Sequence, residues 1–288
     1  MKKEIIQNLP NKQYHESEGI SSSVLKTALR SKAHLKLLKE EGFKRNKSMV
    51  LGDAIHMYIL EPNRFAENYT EEKEVYKRNI NGHVAGEPKL DENGEEIVML
   101  KHLTDSSLDI AGEEYVKFKS MIKAYNECEE AKELRANAEH VETSFFFDKF
   151  KVRPDFITRD GWIVDLKTVG GMKDNPSEVN NFNRDFWEFG YDLQMFMYES
   201  IVKQFMDVKG FIFICLDAKK PSGVKIYKFI NGESKWFEIG GYRFHEALEI
   251  MKQCEETNDY RKYDKVIEDD MELSYEASDY LAKKEINK

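Results

Sequence analysis

The 288-residue chain is 41% hydrophobic and 12% aromatic, enough apolar material for one large domain with appendages. No run of about 18 apolar residues exists for a membrane helix, the polar start MKKEIIQNLPNKQ lacks a signal-peptide apolar region, and Cys128, Cys215 and Cys254 are too few and too scattered for a disulfide framework, a zinc site or an iron–sulfur cluster; a soluble, cytoplasmic protein without a membrane partner is expected. The net charge of −9 opposes nucleic-acid binding at first sight, but residues 1–50 hold eleven Lys/Arg against five Asp/Glu, while 268–282 hold six acids and no base, so a polyanion can meet a local basic surface.

Residues 14–19 (YHESEG) predict a loop, and residues 20–41 (ISSSVLKTALRSKAHLKLLKEE) predict two short helices with Ser21, Ser22 and Ser23 as natural N-caps. Serines at a helix start followed by Lys26, Arg30 and Lys32 read equally as a capped amphipathic helix or as a phosphate grip. A mostly apolar helix over 48–60 follows, ended by Glu61-Pro62 because the residue before proline avoids helical geometry. His56 sits in its middle, where a lone histidine is more often a hydrogen-bonded core residue than a ligand. Residues 67–105 are polar and turn-rich, a long excursion from the core. From about 104 to 138 helical spacing resumes through Leu108, Ala111, Tyr115, Phe118, Ile122 and Tyr125.

Three strands are predicted next, over 141–147, 152–158 and 162–168. Glu142 opens the first of them, either as a solvated strand-edge acid or as a neighbour of the site that follows. That site lies in KVRPDFITRDGWIVDLKT, residues 151–168, where β-prone runs flank an Asp-Gly turn. A two-residue Asp160-Gly161 loop sets Asp155 opposite Leu166 and puts Asp155 and Asp165 on different faces. A three-residue loop, with Gly161 left-handed in a bulge, sets Asp155 opposite Asp165, and Lys167 then shares their face. Two carboxylates and an ammonium there are costly to hold together unless something uses them. A divalent cation is a suitable user, with oxygen ligands favouring Mg²⁺ or Mn²⁺. An ordinary exposed hairpin with solvated acids is the plain alternative.

After a polar loop, a helix is predicted over 185–206 with Trp187, Tyr191, Gln194, Tyr198, Ile201 and Phe205 along one face. Gln194 and Tyr198, one turn apart, either reach a phosphate or the lysine, or belong to an aromatic core stripe that tolerates one amide. Strands over 210–216 and 223–230 and a helix over 233–257 complete the chain. The expected organisation is an N-terminal helical segment over 1–45 with DNA-end contacts, a core over 46–257 with an insertion near 67–105, and an acidic tail over 258–288. The segment 268–280 of that tail is expected to stay off DNA, as a partner or subunit contact, a repulsive tail, or a terminus without a role.

The order helix, three strands, helix, strand carries His56, Asp155, Asp165-Leu166-Lys167 and Gln194-Met195-Phe196-Met197-Tyr198. It resembles the PD-(D/E)xK nuclease superfamily, in the branch of RecB-type nuclease domains and lambda exonuclease. YHESEGISSSVLKTALRSKAHLKLL, LGDAIHMYILEPNRF and KVRPDFI are similar to phage and prophage exonuclease VIII (RecE-type) nucleases, over residues 14–255. Lys32 departs from the pattern, standing where a proline is expected, and the acidic tail has no counterpart.

The resemblance implies an α/β (α+β) fold with a restriction-endonuclease-like core, a central mixed sheet flanked by helices (αβββαβ) behind an N-terminal helical segment. It implies a Mg²⁺-dependent, Mn²⁺-tolerant exonuclease that needs no nucleotide, degrades duplex DNA ends 5′→3′ and leaves a 3′ single strand for an annealing protein of phage-type recombination. A homo-oligomeric ring of three or four subunits around the DNA is implied as well. By motif, His56, Asp155, Asp165 and Leu166 bind metal, Lys167 serves the attacking water, Gln194 and Tyr198 line the site with Glu142 as a further catalytic candidate, and Ser23, Lys26 and Arg30 form a 5′-phosphate pocket. Two rival readings are an endonuclease on the same core and a non-catalytic DNA-binding or DNA-mimic protein.

Overall fold

The computed structural model describes residues 3–42, 46–76, 78–90, 93–170 and 181–261. The acidic segment 268–280 and most of the polar loop after the hairpin lie outside the described residues. Strand β1 (Lys3–Ile6) and helices α1 (Asn11–Glu16), α2 (Ser22–Arg30) and α3 (Lys32–Glu41) come first. The expected loop over 14–19 is therefore partly helical, and β1 had no counterpart in the sequence reading because a four-residue KEII run carries too little pattern. Ser21 is the N-cap residue of α2, and Ser31 caps α3 by accepting the His34 N–H at 3.2 Å. Helix α4 (Lys47–Leu60) starts at Asn46, whose side chain accepts from Met49 N–H at 3.0 Å, and gives way at Glu61 to α5 (Pro62–Asn68), with proline in the first turn. The insertion is a hairpin of β2 (Tyr69–Lys73) and β3 (Val98–His102), followed by α6 (Glu113–Glu127) and α7 (Glu129–Ala136).

The three strands expected over 141–168 are five. They are β4 (Ala138–Val141), β5 (Ser144–Phe147), β6 (Phe150–Val152), β7 (Phe156–Thr158) and β8 (Trp162–Val169). The first break falls at Glu142, a non-glycine residue at φ 46°, so the chain leaves one sheet and enters another there. The second falls at Arg153-Pro154-Asp155, where proline has no N–H for a ladder. Strands β5 and β6 instead form a small antiparallel sheet with β1, in the order β1-β5-β6.

The single helix expected over 185–206 is also two, α8 (Asn181–Glu188) and α9 (Tyr191–Val202), separated at Gly190 in the left-handed region. With β9 (Gly210–Asp217), β10 (Val224–Ile230) and α10 (Lys235–Thr257), the main sheet runs β10-β9-β8-β7-β4. Its pairings are antiparallel except β8 with β9, and that parallel pair requires the α8–α9 crossover. One face packs Ile157, Ile163 and Phe213 against Leu25, Leu193 and Phe244 of α2, α9 and α10. The other packs Phe156, Val164, Leu166 and Ile212 against Ile55 and Met121 of α4 and α6. This helix–sheet–helix layering around a mixed sheet is the restriction-endonuclease-like architecture expected from the resemblance.

The β7–β8 turn has three residues. Gly161 N–H donates to Thr158 O at 2.9 Å, Gly161 sits at φ 91°, and the pairs are Phe156 with Val164 and Ile157 with Ile163. Continuing that register sets Asp155 opposite Asp165. A side chain at 161 would be strained by the left-handed backbone and crowded by Asp207 O, 3.0 Å from where a Cβ would stand.

Candidate active site

The site grows from the point where β7 stops. Beyond Phe156 and Val164, the Leu166 N–H and C=O have no β7 backbone to pair with, and two side chains take them. Asp155 Oδ2 accepts the Leu166 N–H at 2.6 Å. His56, reaching in from α4, places Nε2 3.1 Å from Leu166 O and 3.1 Å from Asp155 Oδ2. Its other nitrogen, Nδ1, donates to Gly52 O one turn back at 2.8 Å, which fixes the ring. Burial disfavours the imidazolium, but the Asp155 carboxylate outweighs it and pushes His56 up to about 10. For Asp155, burial opposes ionisation and His56 overcomes it, holding the carboxyl below the ordinary carboxylate range.

Asp165 stands on the neighbouring stretch of β8 and is 3% exposed. Its Oδ1 accepts from Gln194 Nε2 at 2.7 Å. Its Oδ2 is ion-paired to Lys167 and has no other hydrogen-bond partner. Burial raises the Asp165 carboxyl above its usual range, with Lys167 pulling the other way. The Lys167 ammonium also lies 4.7 Å from the Tyr191 ring centroid and 3.5 Å from Gln194 Oε1. Tyr198 is buried, its hydroxyl bonded to Ser22, and burial holds it well above the usual tyrosine range.

Glu142 belongs to the same cleft, though not at the start of a strand. Its N–H donates to Asp155 O at 2.9 Å, its Oε2 is 3.9 Å from Arg153 Nη1, and burial followed by the Asp155 charge lifts its carboxyl to about 8. A non-glycine left-handed residue at such a place is stored strain of about 1–3 kcal/mol. The cleft, about 1220 Å³, is lined by His56, Glu142, Asp155, Leu166, Lys167 and Tyr191 among others.

The α2 residues divide. Ser23 and Arg30 are exposed, whereas Lys26 turns inward and donates to Gln194 Oε1 at 2.9 Å. Lys26 lies one turn from buried Ser22, and no sequence signal marks that inward face. Arg153 was also missed. Its guanidinium is pinned by Ser144 Oγ at 2.9 Å, Asn11 Oδ1 at 2.8 Å and Leu9 O at 2.9 Å, over the Tyr14 ring at 4.0 Å.

Among the described residues, no three His, Cys, Asp or Glu side chains gather as a metal cluster, because Asp165 is turned to Gln194 and Lys167. The donor set nevertheless suits a hard divalent ion. It comprises an imidazole nitrogen 3.1 Å from both a carboxylate and a main-chain carbonyl, with the Asp165 carboxylate on the neighbouring stretch of β8.

Residues 21–264 match the family described as a PDDEXK-like domain of unknown function (DUF3799). The fold is similar to that in a crystal structure of a candidate exonuclease from Eubacterium rectale, with a TM-score of 0.57 and 14% sequence identity over 91% of this chain and 97% of that one. No curated protein sequence matches the chain at a significant level.

Proposed function

Because the chain belongs to the PDDEXK-like family DUF3799, we propose that it is a divalent-metal-dependent deoxyribonuclease that degrades duplex DNA from its ends, 5′→3′ and without ATP. The observation that carries the reading is the meeting of His56, Asp155 and the Leu166 carbonyl beside Lys167 in one cleft, with Asp165 and Gln194 buried directly behind Lys167. His56 Nε2, Asp155, Leu166 O and Asp165 Oδ2 are the groups that would hold the ion. A bound divalent cation supplies Lewis-acid polarisation of the phosphoryl group and a water of lowered pKa.

The protein's own residues do the rest. His56 keeps its Nε2 aimed by the Gly52 bond, so that once deprotonated this nitrogen presents a lone pair between Asp155 and Leu166 O. Gln194 fixes Asp165 through Oδ1. Lys167, with three donors and no acceptor, is placed to orient the attacking oxygen and to balance charge that builds on the phosphoryl group. Ser23 and Arg30, exposed on α2, suit a 5′-terminal phosphate, which carries more charge than an internal diester.

The 5′→3′ direction, the annealing-protein partner and the ring of three or four subunits are supported by the resemblance of residues 14–255 to exonuclease VIII-type nucleases. Among the described residues, no helix is long and apolar enough to cross a membrane. The test is cleavage of linear duplex DNA in Mg²⁺ by the wild type and by Asp165→Asn. The expected result is digestion by the first and none by the second.

A further inference from the structure

Lys26 enters the site across Gly190, the residue that separates α8 from α9. A Cβ at 190 would stand 3.0 Å from Lys26 Cγ and 3.1 Å from Cδ, and Gly190 lies at φ 62°. A side chain at 190 would thus be strained by the backbone and would press on the lysine stem that packs there. The ammonium ends 2.9 Å from Gln194 Oε1 and 5.5 Å from the Tyr191 ring centroid. Burial, and then the like charge of Lys167, push Lys26 down to about 7, so an ammonium is costly to keep here.

What the ammonium does is legible from donors and acceptors. A side-chain amide can sit either way round, but a carboxylate only accepts and an ammonium only donates. With Lys26 at 2.9 Å on Oε1, the Gln194 amide has one satisfactory orientation, in which Nε2 donates to Asp165 Oδ1 at 2.7 Å. Lys167 is a poor substitute, at 3.5 Å from Oε1 and already engaged with Asp165 Oδ2. We propose that Lys26 is a positioning residue, which fixes the Gln194 amide through Oε1 and thereby sets the Asp165 carboxylate. Its effect on DNA cleavage rests on the nuclease reading above; its effect on the amide does not.

The chain has five glutamines, Gln7, Gln13, Gln194, Gln204 and Gln253, so labelling with [¹⁵N]glutamine gives a short side-chain amide spectrum in which Gln194→Glu identifies one signal. In the wild type, the Gln194 amide protons should be displaced and exchange slowly with solvent. In Lys26→Met they should move toward free-amide positions and exchange at least tenfold faster, with the other four signals unchanged. Lys26→Arg, which keeps a donor, should restore part of the protection. Thermal melting and the unchanged positions of the other four signals show that the Met variant folds; should it fail to fold, Lys26→Leu, which likewise carries no donor, carries the same expectation.

An unchanged Gln194 signal and exchange rate in a folded Lys26 variant lacking the ammonium would overturn the proposal. On DNA, Lys26→Met should lower kcat by up to about 10²-fold with KM unchanged, and should add nothing on a Gln194→Ala background. A multiplicative loss in the double variant would mean that Lys26 touches substrate directly, and would overturn it as well. A wild-type protein that cuts no DNA would retire the nuclease reading while the amide result still decides the role of Lys26.

Discussion

The Asp155 carboxylate accepts the Leu166 main-chain N–H at 2.6 Å, occupying the position that a backbone carbonyl would take if β7 ran one pair further. One side chain thus ends a strand pairing and reaches the metal-ligand candidates at once. Asp155→Ala should leave a buried amide without an acceptor, at about 1–3 kcal/mol, whereas Asp155→Asn keeps an acceptor of the same shape. Both should lose cleavage, and thermal melting should place the Ala variant below the Asn variant. Equal melting of the two would show that the Leu166 bond contributes nothing.

Asp165 and Lys167 are a buried ion pair, with side chains 4% and 15% exposed. Removing either partner alone should cost about 3–5 kcal/mol through the charge left behind, while Asp165→Asn combined with Lys167→Met should cost less than the two single changes summed. Each folded variant should lose at least about 10²-fold in kcat. Chemical denaturation and single-turnover cleavage check the two halves separately, and wild-type turnover by any folded variant would remove this pair from the chemistry.

Much of the layering was legible. The Glu61-Pro62 stop of α4 and the long α10 follow from local chemistry and appear where the sequence places them, whereas the helical stripe expected from 104 is realised only from Glu113, with Leu108 in a single 3-10 turn and Ala111 outside any helix. The turn at Gly161 is compatible with two registers by sequence, and in the fold its carbonyl accepts the Lys209 N–H at 2.8 Å, a partner that no local window contains. The breaks at Arg153-Pro154-Asp155 and at Gly190 carry local marks, a proline and a glycine, which an argument from periodicity alone passes over. The site that Arg153 occupies is set by Leu9 and Asn11, partners that no local window contains. The candidate site was legible as a set of residues, but the division of labour among them was not. Asp165 is held by Gln194 and Lys167, and Lys26 turns inward to Gln194 while Ser23 and Arg30 on the same helix stay exposed.

A nitrogen donor in the set bears on metal choice. His56 is an unusual partner for Mg²⁺ and an acceptable one for Mn²⁺, so Mn²⁺ should support cleavage at least as well as Mg²⁺, and Ca²⁺ should bind by calorimetry without supporting it. A chelator should stop the reaction and added Mn²⁺ restore it. His56→Ala should weaken Mn²⁺ binding, and an unchanged affinity would take His56 out of the ligand set.

Exposure separates Arg30 from Lys26 on the same helix. Dephosphorylating the 5′ end should slow digestion, and Arg30→Ala should slow digestion of phosphorylated ends several-fold while mattering less on dephosphorylated ones. Equal effects on both substrates would make Arg30 a general backbone contact.

The most direct test of the account uses linear and covalently closed circular duplexes of the same sequence, the linear one labelled separately at its 5′ and 3′ ends, incubated with the protein and Mg²⁺. The account predicts that the 5′ label is released first, that a 3′ single strand accumulates, and that the circle stays intact. Cutting of the circle, or release of the 3′ label first, would contradict it.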